Sequence, residues 1–286
     1  MFVVLGGVVV IVAVLVGFSM AGGKVAALIH LSEFVTIGGA SLGALLTMAP
    51  KKVLTDLIRS TMQAVKGSPY NKQTAAEMLK LLYALARIVR KEGLLALEPV
   101  IGSLNGGSFF DKFPAINRNH HAKEFLREAL SRIADGKVDP KQLAAELEAE
   151  IEVINREHHA AVSVLHKTAD ALPGFGIVAA VLGIVVTMQA IGGPVDQIGY
   201  KVGAALVGTF LGILMSYGFF APLAGRMEFL GQAELIFFRS MSAGLVGICE
   251  GLGPRDVVSC ARRALGSDAR PTKEDLGQII KEGESI

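Results

Sequence analysis

Charged residues are scarce in this sequence. Only 19% of its 286 residues are Asp, Glu, Lys or Arg, whereas 51% are hydrophobic, and soluble proteins usually carry about 25% charge. This composition excludes an ordinary soluble protein and predicts an integral membrane protein with lipid around it. The net charge of +2 indicates no basic surface for nucleic acid, so nucleic acid is not an expected partner.

Groups that catalyse reactions or hold metals are also few. The two cysteines, Cys249 and Cys260, form no CxxC pattern, which argues against a disulfide framework or a zinc site. Four of the six histidines occur as adjacent pairs, and adjacent side chains on a helix point in different directions. No nucleophile stands together with a base. The sequence therefore predicts no enzyme, no metal site and no cofactor.

Long apolar runs are what the sequence does contain. A bilayer core of about 30 Å needs about 20 apolar residues as a helix. Four stretches are long and apolar enough, or nearly so: 2–21, 34–49, 171–194 and 202–222. The first stretch has no basic segment before it and no cleavage pattern after it, so we expect a retained helix instead of a signal peptide.

Lysine and arginine set the expected orientation. If the connections 22–33 and 195–201 lie outside, 26 of the 28 basic residues lie inside. The predicted fold is an all-α integral membrane protein with four transmembrane helices, a large helical cytoplasmic insert between helices 2 and 3, and a cytoplasmic C-terminal tail. The expected domains are 1–49 (transmembrane helices 1 and 2), 50–170 (cytoplasmic helical domain), 171–222 (transmembrane helices 3 and 4) and 223–286 (tail).

Helical patterns fill the segments outside the spans. Thr74 and Glu77 have capping-box spacing, and Pro140 follows an aspartate, which is typical of a helix start. From Pro140 the apolar residues keep helical spacing up to Pro173, so we expect this helix to continue directly into the third span. The tail also has a helical pattern, with a break at 251–254.

The four predicted spans contain no Asp, Glu, Lys, Arg or His. Ionisable groups inside a bilayer are costly and usually mark ion pathways, so a chain that carried protons alone would be expected to keep one. Two interpretations follow. Either the protein moves no ion, or another polypeptide supplies the carboxylate.

Small and hydroxyl side chains mark the last two spans. Gly208, Gly212 and Ser216 recur every four residues, a spacing that lets helices pack closely. Thr209 lies beside this stripe and Thr187 lies on the third span. Each threonine either offers its hydroxyl to a pathway or bonds to the carbonyl of its own helix, whereas the stripe is interpreted as a helix-packing surface.

Two prolines mark the inner ends of the last two spans. Pro173 opens the third span and Pro222 closes the fourth. Proline removes a backbone donor and lets a helix bend, although prolines also flank membrane helices without such a role. Two prolines at one depth favour a flexing gate.

Four motifs occur in order along nearly the whole chain. They are "RKEGLLALE" at 90–98, "LPGFGIVAAVLGIV" at 172–185, "GTFLGI" at 208–213 and "APLAGRME" at 221–228. With two short N-terminal spans and a large insert, this arrangement resembles the MotA family, the stator subunits of the bacterial flagellar motor. The last two spans are also similar to the wider MotA, TolQ and ExbB proton-channel group.

The resemblance implies a proton-driven motor of the bacterial inner membrane. MotA-type subunits form a homo-oligomeric ring of five around single-span MotB-type subunits, whose aspartate binds the proton. Pro173 and Pro222 then correspond to prolines tied to conformational change, and Thr209 corresponds to the hydroxyl facing the ion route, with Thr187 one helix earlier. Ala180 lies where sodium-driven relatives carry threonine, so the proton is the expected coupling ion and sodium is disfavoured.

The resemblance also assigns charged residues of the insert to the rotor. Arg90 and Glu98 correspond to family residues that engage the rotor protein FliG, and Arg87 lies close enough to add to the same field. Exposed charges on a helix are otherwise usually only solvated. Contacts of this kind steer binding and weaken in salt.

Two alternatives remain open at this point. An energiser of the ExbB or TolQ type would drive an envelope partner, but those relatives have one span before the insert and lack the "RKEGLLALE" segment. A membrane scaffold that moves no ion would use the same small-residue faces.

Overall fold

A computed structural model describes residues 2–104 and 107–285. Every regular element among these residues is helical, which confirms the all-α part of the predicted fold. The chain forms two compact units. The first unit comprises the chain up to Gly67 together with Glu157–Leu230, and the second comprises Ser68–Arg156 together with the chain from Gly231 onward.

The helices follow one another with short connections. In chain order they are α1 (Phe2–Met20), a 3-10 turn (Val25–Leu28), α2 (Leu31–Met48), α3 (Lys51–Lys66), α4 (Lys72–Glu92), a 3-10 turn (Leu94–Ala96), α5 (Leu97–Ser103), α6 (Ser108–Asp111), α7 (Pro114–Asn117), α8 (His120–Ala134), α9 (Pro140–Gln189), α10 (Val195–Met215), a π-helix (Ser216–Phe220), α11 (Ala221–Cys249), α12 (Pro254–Ala264) and α13 (Lys273–Glu284). Helices α9 and α11 contribute residues to both units.

Four helical stretches of the described chain are long and apolar enough to cross a membrane: Phe2–Met20, Val25–Met48, Pro140–Gln189 and Val195–Cys249. Helix α1 has no buried residue at all. A helix that is apolar on every face suits a lipid environment. The structure therefore agrees with a membrane protein, and each predicted span lies within one of these stretches for most of its length.

Helix α2 begins earlier than the predicted second span. Its first residue is Leu31, preceded by the extended backbone of His30, so the helix includes Glu33. Glu33 is only 6% exposed. Helix α2 thus starts three residues before the predicted span 34–49 and adds a buried ionisable residue that the predicted span lacks. The predicted span starts after Glu33 because a charged residue lowers the hydropathy of a segment. The helical hydrogen bonds of α2 nevertheless begin before Glu33.

Helix α9 runs through Pro173 without a break for 50 residues, which confirms the predicted continuous helix. Proline 222 is accommodated differently. A π-helix over Ser216–Phe220 immediately precedes α11, in which Pro222 is the second residue. The proline ring would clash with the carbonyl four residues earlier in a regular helix, and the wider π turn relieves that clash.

The start of α4 differs from the predicted capping box. Helix α4 begins one residue after Asn71, whose side-chain oxygen accepts hydrogen bonds from the backbone N–H groups of Gln73 and Thr74, at 2.9 and 3.1 Å. The Glu77 carboxylate instead accepts a hydrogen bond from the Ala115 N–H at 2.8 Å. Asparagine is among the best N-cap residues. Asn71 therefore caps the helix in place of Thr74, and the helix starts about one turn earlier than predicted.

Helix α4 forms the centre of the second unit. Its buried face packs against α12 and α13, and the core around it includes Met78, Leu82, Phe125, Phe238 and Val257. The chain breaks after α11 at Gly251, where φ is 76°, and resumes as α12 at Pro254. This break is the one that the sequence predicted in the tail.

Candidate functional site

Helices α9 and α10 touch backbone to backbone in the first unit. A Cβ built on Gly176 would lie 2.9 Å from the Gly208 carbonyl oxygen and 3.1 Å from the Gly212 Cα. A Cβ built on Gly212 would lie 2.7 Å from the Leu172 carbonyl oxygen. Contacts this short require glycine, because any side chain would force the helices apart. Two residues of the predicted small stripe, Gly208 and Gly212, thus lie against α9.

The prolines and the third stripe residue lie at the ends of this contact. Pro173 follows Leu172, whose carbonyl faces Gly212. Ser216 opens the π-helix, and its hydroxyl is buried with no hydrogen-bond partner among the described residues. Pro222 is exposed just beyond the π-helix. Each predicted gate proline therefore adjoins a special backbone feature, one a close helix contact and the other a π turn.

The threonine hydroxyls of the apolar helices are of two kinds. Those of Thr36, Thr47, Thr168 and Thr187 each donate to the carbonyl four residues earlier, at 2.8 to 2.9 Å. The half-buried Thr209 makes no hydrogen bond through its side chain within residues 2–104 and 107–285. A hydroxyl bonded to its own helix has no hydrogen left to donate. Of the two predicted pathway threonines, only Thr209 keeps its hydrogen available.

Ala180 lies at the level of Gly208 and Thr209. A Cβ built on Gly208 would be 3.2 Å from the Ala180 backbone nitrogen and 2.8 Å from Oε2 of Glu33. Thr187 lies seven residues further along α9, which is about two turns. The structure therefore brings Ala180 close to the Thr209 segment and leaves Thr187 apart from it.

Sequence reasoning missed Glu33 as a candidate residue. Glu33, Ile37 and Ser41 are the buried residues of α2, and they recur every four residues. The same spacing defines the small stripe on α10. The four-residue spacing of Glu33, Ile37 and Ser41 could have indicated one buried helix face. Glu33 was left out because a charged residue lowers the hydropathy by which the span was drawn.

Arg90 and Glu98 flank a short connection in the second unit. Arg90 lies near the end of α4 and Glu98 lies in the first turn of α5, with Gly93 at φ 85° and a 3-10 turn between them. Both charged residues are exposed, and Leu95 between them is 71% exposed. An apolar side chain between opposite charges has the composition of a protein contact surface.

Arg87 is engaged within the chain, unlike Arg90. Its guanidinium donates to the backbone carbonyl of Glu284 at the end of α13. About two turns earlier on α4, Lys80 pairs with Glu282, and the hydrogen bond from Lys80 lowers the pKa of the Glu282 carboxyl. Arg90 forms no ion pair within the described part of the chain. Helix α13 thus covers Arg87 and leaves Arg90 open.

The remaining titratable clusters offer little to a metal. Within residues 2–104 and 107–285 no three His, Cys, Asp or Glu side chains lie close enough to hold a metal ion. The ring nitrogen of His158 lies 2.9 Å from the Met227 carbonyl oxygen, so the backbone holds this ring. The chemistry that these residues present is therefore a tight apolar helix wall in one unit and an exposed charged surface in the other.

Comparison with known proteins gives the family of the chain. Residues 4–93 match the family model described as "Motility protein A N-terminal", and residues 117–235 match the model of the MotA/TolQ/ExbB proton channel family. The fold and the helix wall thus define a membrane subunit of the MotA/TolQ/ExbB class.

Individual relatives narrow the class. The chain is 34% identical to the chemotaxis protein LafT of Vibrio parahaemolyticus, with 98% of each chain covered. It is 31% identical to motility protein A of Salmonella typhimurium, over 98% of this chain and 95% of that protein. The chain belongs to the MotA family.

Solved structures share the fold. The chain is similar to a chain in the solved structure of C. jejuni MotAB, with a TM-score of 0.78, 24% identity and coverage of 95% and 98% of the two chains. The flagellar MotAB stator complex of Bacillus subtilis gives a TM-score of 0.73 at 23% identity, with 96% and 98% covered. At these identities the likeness establishes the fold.

Proposed function

We propose that this chain is a stator subunit of the flagellar motor, which joins a MotB-type subunit to form a proton channel and converts proton motive force into torque. The observation that carries the proposal is the wall formed by α9 and α10. Their glycine contact excludes side chains, while Thr209 keeps a half-buried hydroxyl that has no partner among the residues that the structure describes. A proton route needs such a wall beside the group that titrates.

The MotB-type partner supplies the main carboxylate. When that group binds a proton its charge disappears, and it moves more easily along the apolar wall. Each proton that crosses provides about 2.3 kcal/mol per 100 mV. This energy shifts the population between conformations of the stator. The bend sites at Pro173 and Pro222 allow that change, and Ala180 leaves out the hydroxyl that a sodium ion would use.

The protein crosses the bacterial inner membrane four times in this proposal. Four apolar helical stretches support the number of spans, and the distribution of Lys and Arg supports placing both termini and the residues around 50–170 in the cytoplasm. Five copies surround the MotB-type helices. The isolated chain leaves large apolar side chains exposed on α1, α9 and α10, which is consistent with burial against lipid and neighbouring subunits.

The rotor contact involves the exposed connection between α4 and α5. Arg90 and Glu98 offer unpaired opposite charges there, and both flank the exposed Leu95. FliG is the partner proposed for this surface. Arg87 contributes only when its bond to the Glu284 carbonyl is exchanged for a rotor contact.

The alternatives have weaker support. The match of residues 4–93 to a model specific to motility protein A favours a MotA-type stator over a TolQ or ExbB energiser. A scaffold that moves no ion would use the glycine contact and would have no need of the Thr209 hydroxyl.

The two pathway threonines provide the test. Replacing Thr209 with Ala removes the available hydroxyl, so we expect swimming to be lost or reduced at least about tenfold, with Thr209→Ser restoring most of it. Thr187→Ala removes a hydroxyl that bonds to its own helix and should reduce swimming less. Swimming speed is measured in cells that lack the native subunit, and immunoblots of membranes verify equal amounts of protein.

Normal swimming of Thr209→Ala at wild-type levels of protein would count against the proposed function. A loss that is equal for both threonine variants would show that any membrane hydroxyl matters, and would remove the special role given to Thr209.

A further inference from the structure

The buried carboxyl of Glu33 has no role in the proposed mechanism. One of its oxygens, Oε1, accepts a hydrogen bond from the Ser32 hydroxyl at 3.3 Å. The other, Oε2, is buried and has no hydrogen-bond partner among the described residues. Buried carboxylates are normally paired, because an unpaired charge in an apolar medium is very unfavourable.

The Glu33 carboxyl occupies the space that the missing side chain of Gly208 leaves. A Cβ built on Gly208 would meet Oε2 of Glu33 at 2.8 Å, the Ala179 Cβ at 3.1 Å and the Ala180 nitrogen at 3.2 Å. Helix α2 thus inserts this carboxyl between α9 and α10. The backbone of Ala180 borders the same space, and Thr209 follows Gly208 in the chain; the proposed function assigns both residues to the proton route.

Helices α2 and α10 run in the same direction along a common seam. The His30 ring packs on the Tyr200 ring with centroids 5.4 Å apart, and Glu33 meets Gly208 further along both helices. Ile37 then packs with Leu211. Residue numbers rise together on both helices, so the seam has a parallel register.

Two more unpaired polar atoms continue this seam. Ser41 follows Ile37 by one turn on α2, and Ser216 follows Gly212 by the same interval. Their hydroxyl oxygens and Oε2 of Glu33 are all of the buried side-chain polar atoms without a partner in residues 2–104 and 107–285. Buried polar atoms of this kind are usually satisfied by water. The seam therefore has the polar groups that a short water chain needs.

Titratable groups around Glu33 lie toward the start of α2 and α10. They are Lys24 and His30 before α2, and Asp196, Tyr200 and Lys201 in the first two turns of α10. Helix α1 has none, and α9 has none after Asp170. No cation of the described chain forms an ion pair with Glu33, so Oε2 is available to water or to a group from outside this chain.

We propose that Glu33 is a proton-binding relay that this chain itself supplies to the ion route. The inference rests on the proposed function. The Glu33 carboxylate takes a proton from a hydronium ion on the seam, which leaves water and a neutral acid. The acid then passes that proton through water to the ionised carboxylate of the MotB-type partner, which becomes neutral while Glu33 becomes ionised again.

The experiment replaces Glu33 with Gln in the full stator with its MotB-type partner. Glutamine keeps the size of the side chain and one oxygen that can accept from the Ser32 hydroxyl, and it cannot titrate. We expect normal assembly with rotation speed and proton flux reduced about tenfold or more, with a speed that no longer follows external pH as in the wild type. Glu33→Asp should recover most of the speed. Ser32→Ala, which removes only the hydroxyl on the other oxygen, is the matched control.

A Glu33→Gln stator that assembles and conducts protons like the wild type would overturn the relay. In that case, a strong loss of swimming in Thr209→Ala would still support the proposed function. If Thr209→Ala also swims normally, both the relay and the proposed function are contradicted. If Glu33→Gln does not assemble, the wild-type complex decides. A hydrophobic carbodiimide, which reacts with protonated buried carboxyls, should label Glu33 less as the pH rises. No label on Glu33 at any pH, with a labelled partner carboxyl, also overturns the relay.

Discussion

At the scale of single residues, the hydrogen-bond partner of a hydroxyl decides whether its hydrogen is free to be donated to another group. Thr187 and Thr209 are equivalent in the sequence, since both are lone hydroxyls in apolar helices. The structure separates them, because Thr187 donates to the Gly183 carbonyl at 2.8 Å and Thr209 donates to no group in the described part of the chain. A residue type alone therefore does not identify a pathway hydroxyl, whereas its hydrogen-bond partner does.

Arg90 allows a prediction of the same kind for the rotor surface. Reversing its charge with Arg90→Glu should replace attraction by repulsion and weaken rotor binding by about 1 kcal/mol, or roughly fivefold. We expect slower swimming that recovers in part when an acidic residue of FliG is made basic. The measurement is the speed of the four combinations in a double-mutant cycle, at low and high salt.

Lys72 provides the control for Arg90. It is exposed at the opposite end of α4, so Lys72→Glu makes the same charge change about 27 Å from Arg90 along the helix axis. Equal losses from the two variants, or no recovery with any FliG charge reversal, would contradict a specific contact at Arg90.

At the scale of the helices, the packing of α9 on α10 depends on the absence of a side chain at Gly176. Gly176→Ala would bring a Cβ to 2.9 Å from the Gly208 carbonyl oxygen and 3.1 Å from the Gly212 Cα. Both contacts are backbone atoms that cannot rotate away, so we expect the pair of helices to lose about 1–3 kcal/mol. The expected result is a lower melting temperature of the purified stator in detergent.

Gly174 makes the comparison direct, since it lies on the same helix with nothing within 4 Å of a built Cβ. Gly174→Ala should leave the stability unchanged or raise it, because alanine favours helix over glycine by about 1 kcal/mol. If both alanine variants melt alike, the close contact does not control stability.

Helix boundaries show what the sequence could and could not predict. The long α9 was predictable, because Pro140 marks its start and the apolar spacing continues through Pro173. The start of α2 was not, because Glu33 is charged and its burial depends on Gly208 of another helix. The π-helix before Pro222 was equally hidden. Local patterns therefore specify where helices lie and some of their ends, whereas the burial of Glu33 at the start of α2 depends on a distant residue.

The candidate site divides in the same way. The small stripe and Thr209 could be found from four-residue spacing and hydroxyl chemistry. The role of Gly208 could not, because its missing side chain leaves room for the Glu33 carboxyl. On the second unit, the charges of Arg87 and Arg90 look alike in sequence, and only the contact with Glu284 distinguishes them.

At the scale of the whole chain, the C-terminal helix α13 returns to α4 across about 200 residues of sequence. A capping box between Thr272 and Asp275 starts the helix, and the Lys80–Glu282 pair holds its other end. The pKa of Glu282 is lowered chiefly by the Lys80 hydrogen bond, and that of Asp275 by the backbone hydrogen bond from Thr272. Both carboxyls therefore favour the folded helix only while they are ionised.

Because these two carboxyls stabilise α13 only when ionised, we expect the contact between α13 and α4 to weaken in acid. A carboxyl with a lowered pKa stabilises the fold above its ordinary pKa of about 4, and that contribution is lost as the pH falls through its lower folded value. Hydrogen exchange of residues 273–284, corrected for intrinsic rates, should become faster below about pH 4. Glu282→Gln should show part of this increase already at neutral pH. Unchanged protection in acid would contradict the coupling.

One turn of helix has a consequence for the faces on either side of it. The π-helix at Ser216–Phe220 contains one residue more than the α-helical turn that it replaces. Because each residue turns an α-helix by about 100°, the added residue rotates everything after it out of phase with everything before it. Residues at helical spacing before and after this turn therefore lie on different faces of the helix. Substitutions on the two sides of the turn alter different surfaces, although the backbone is continuous.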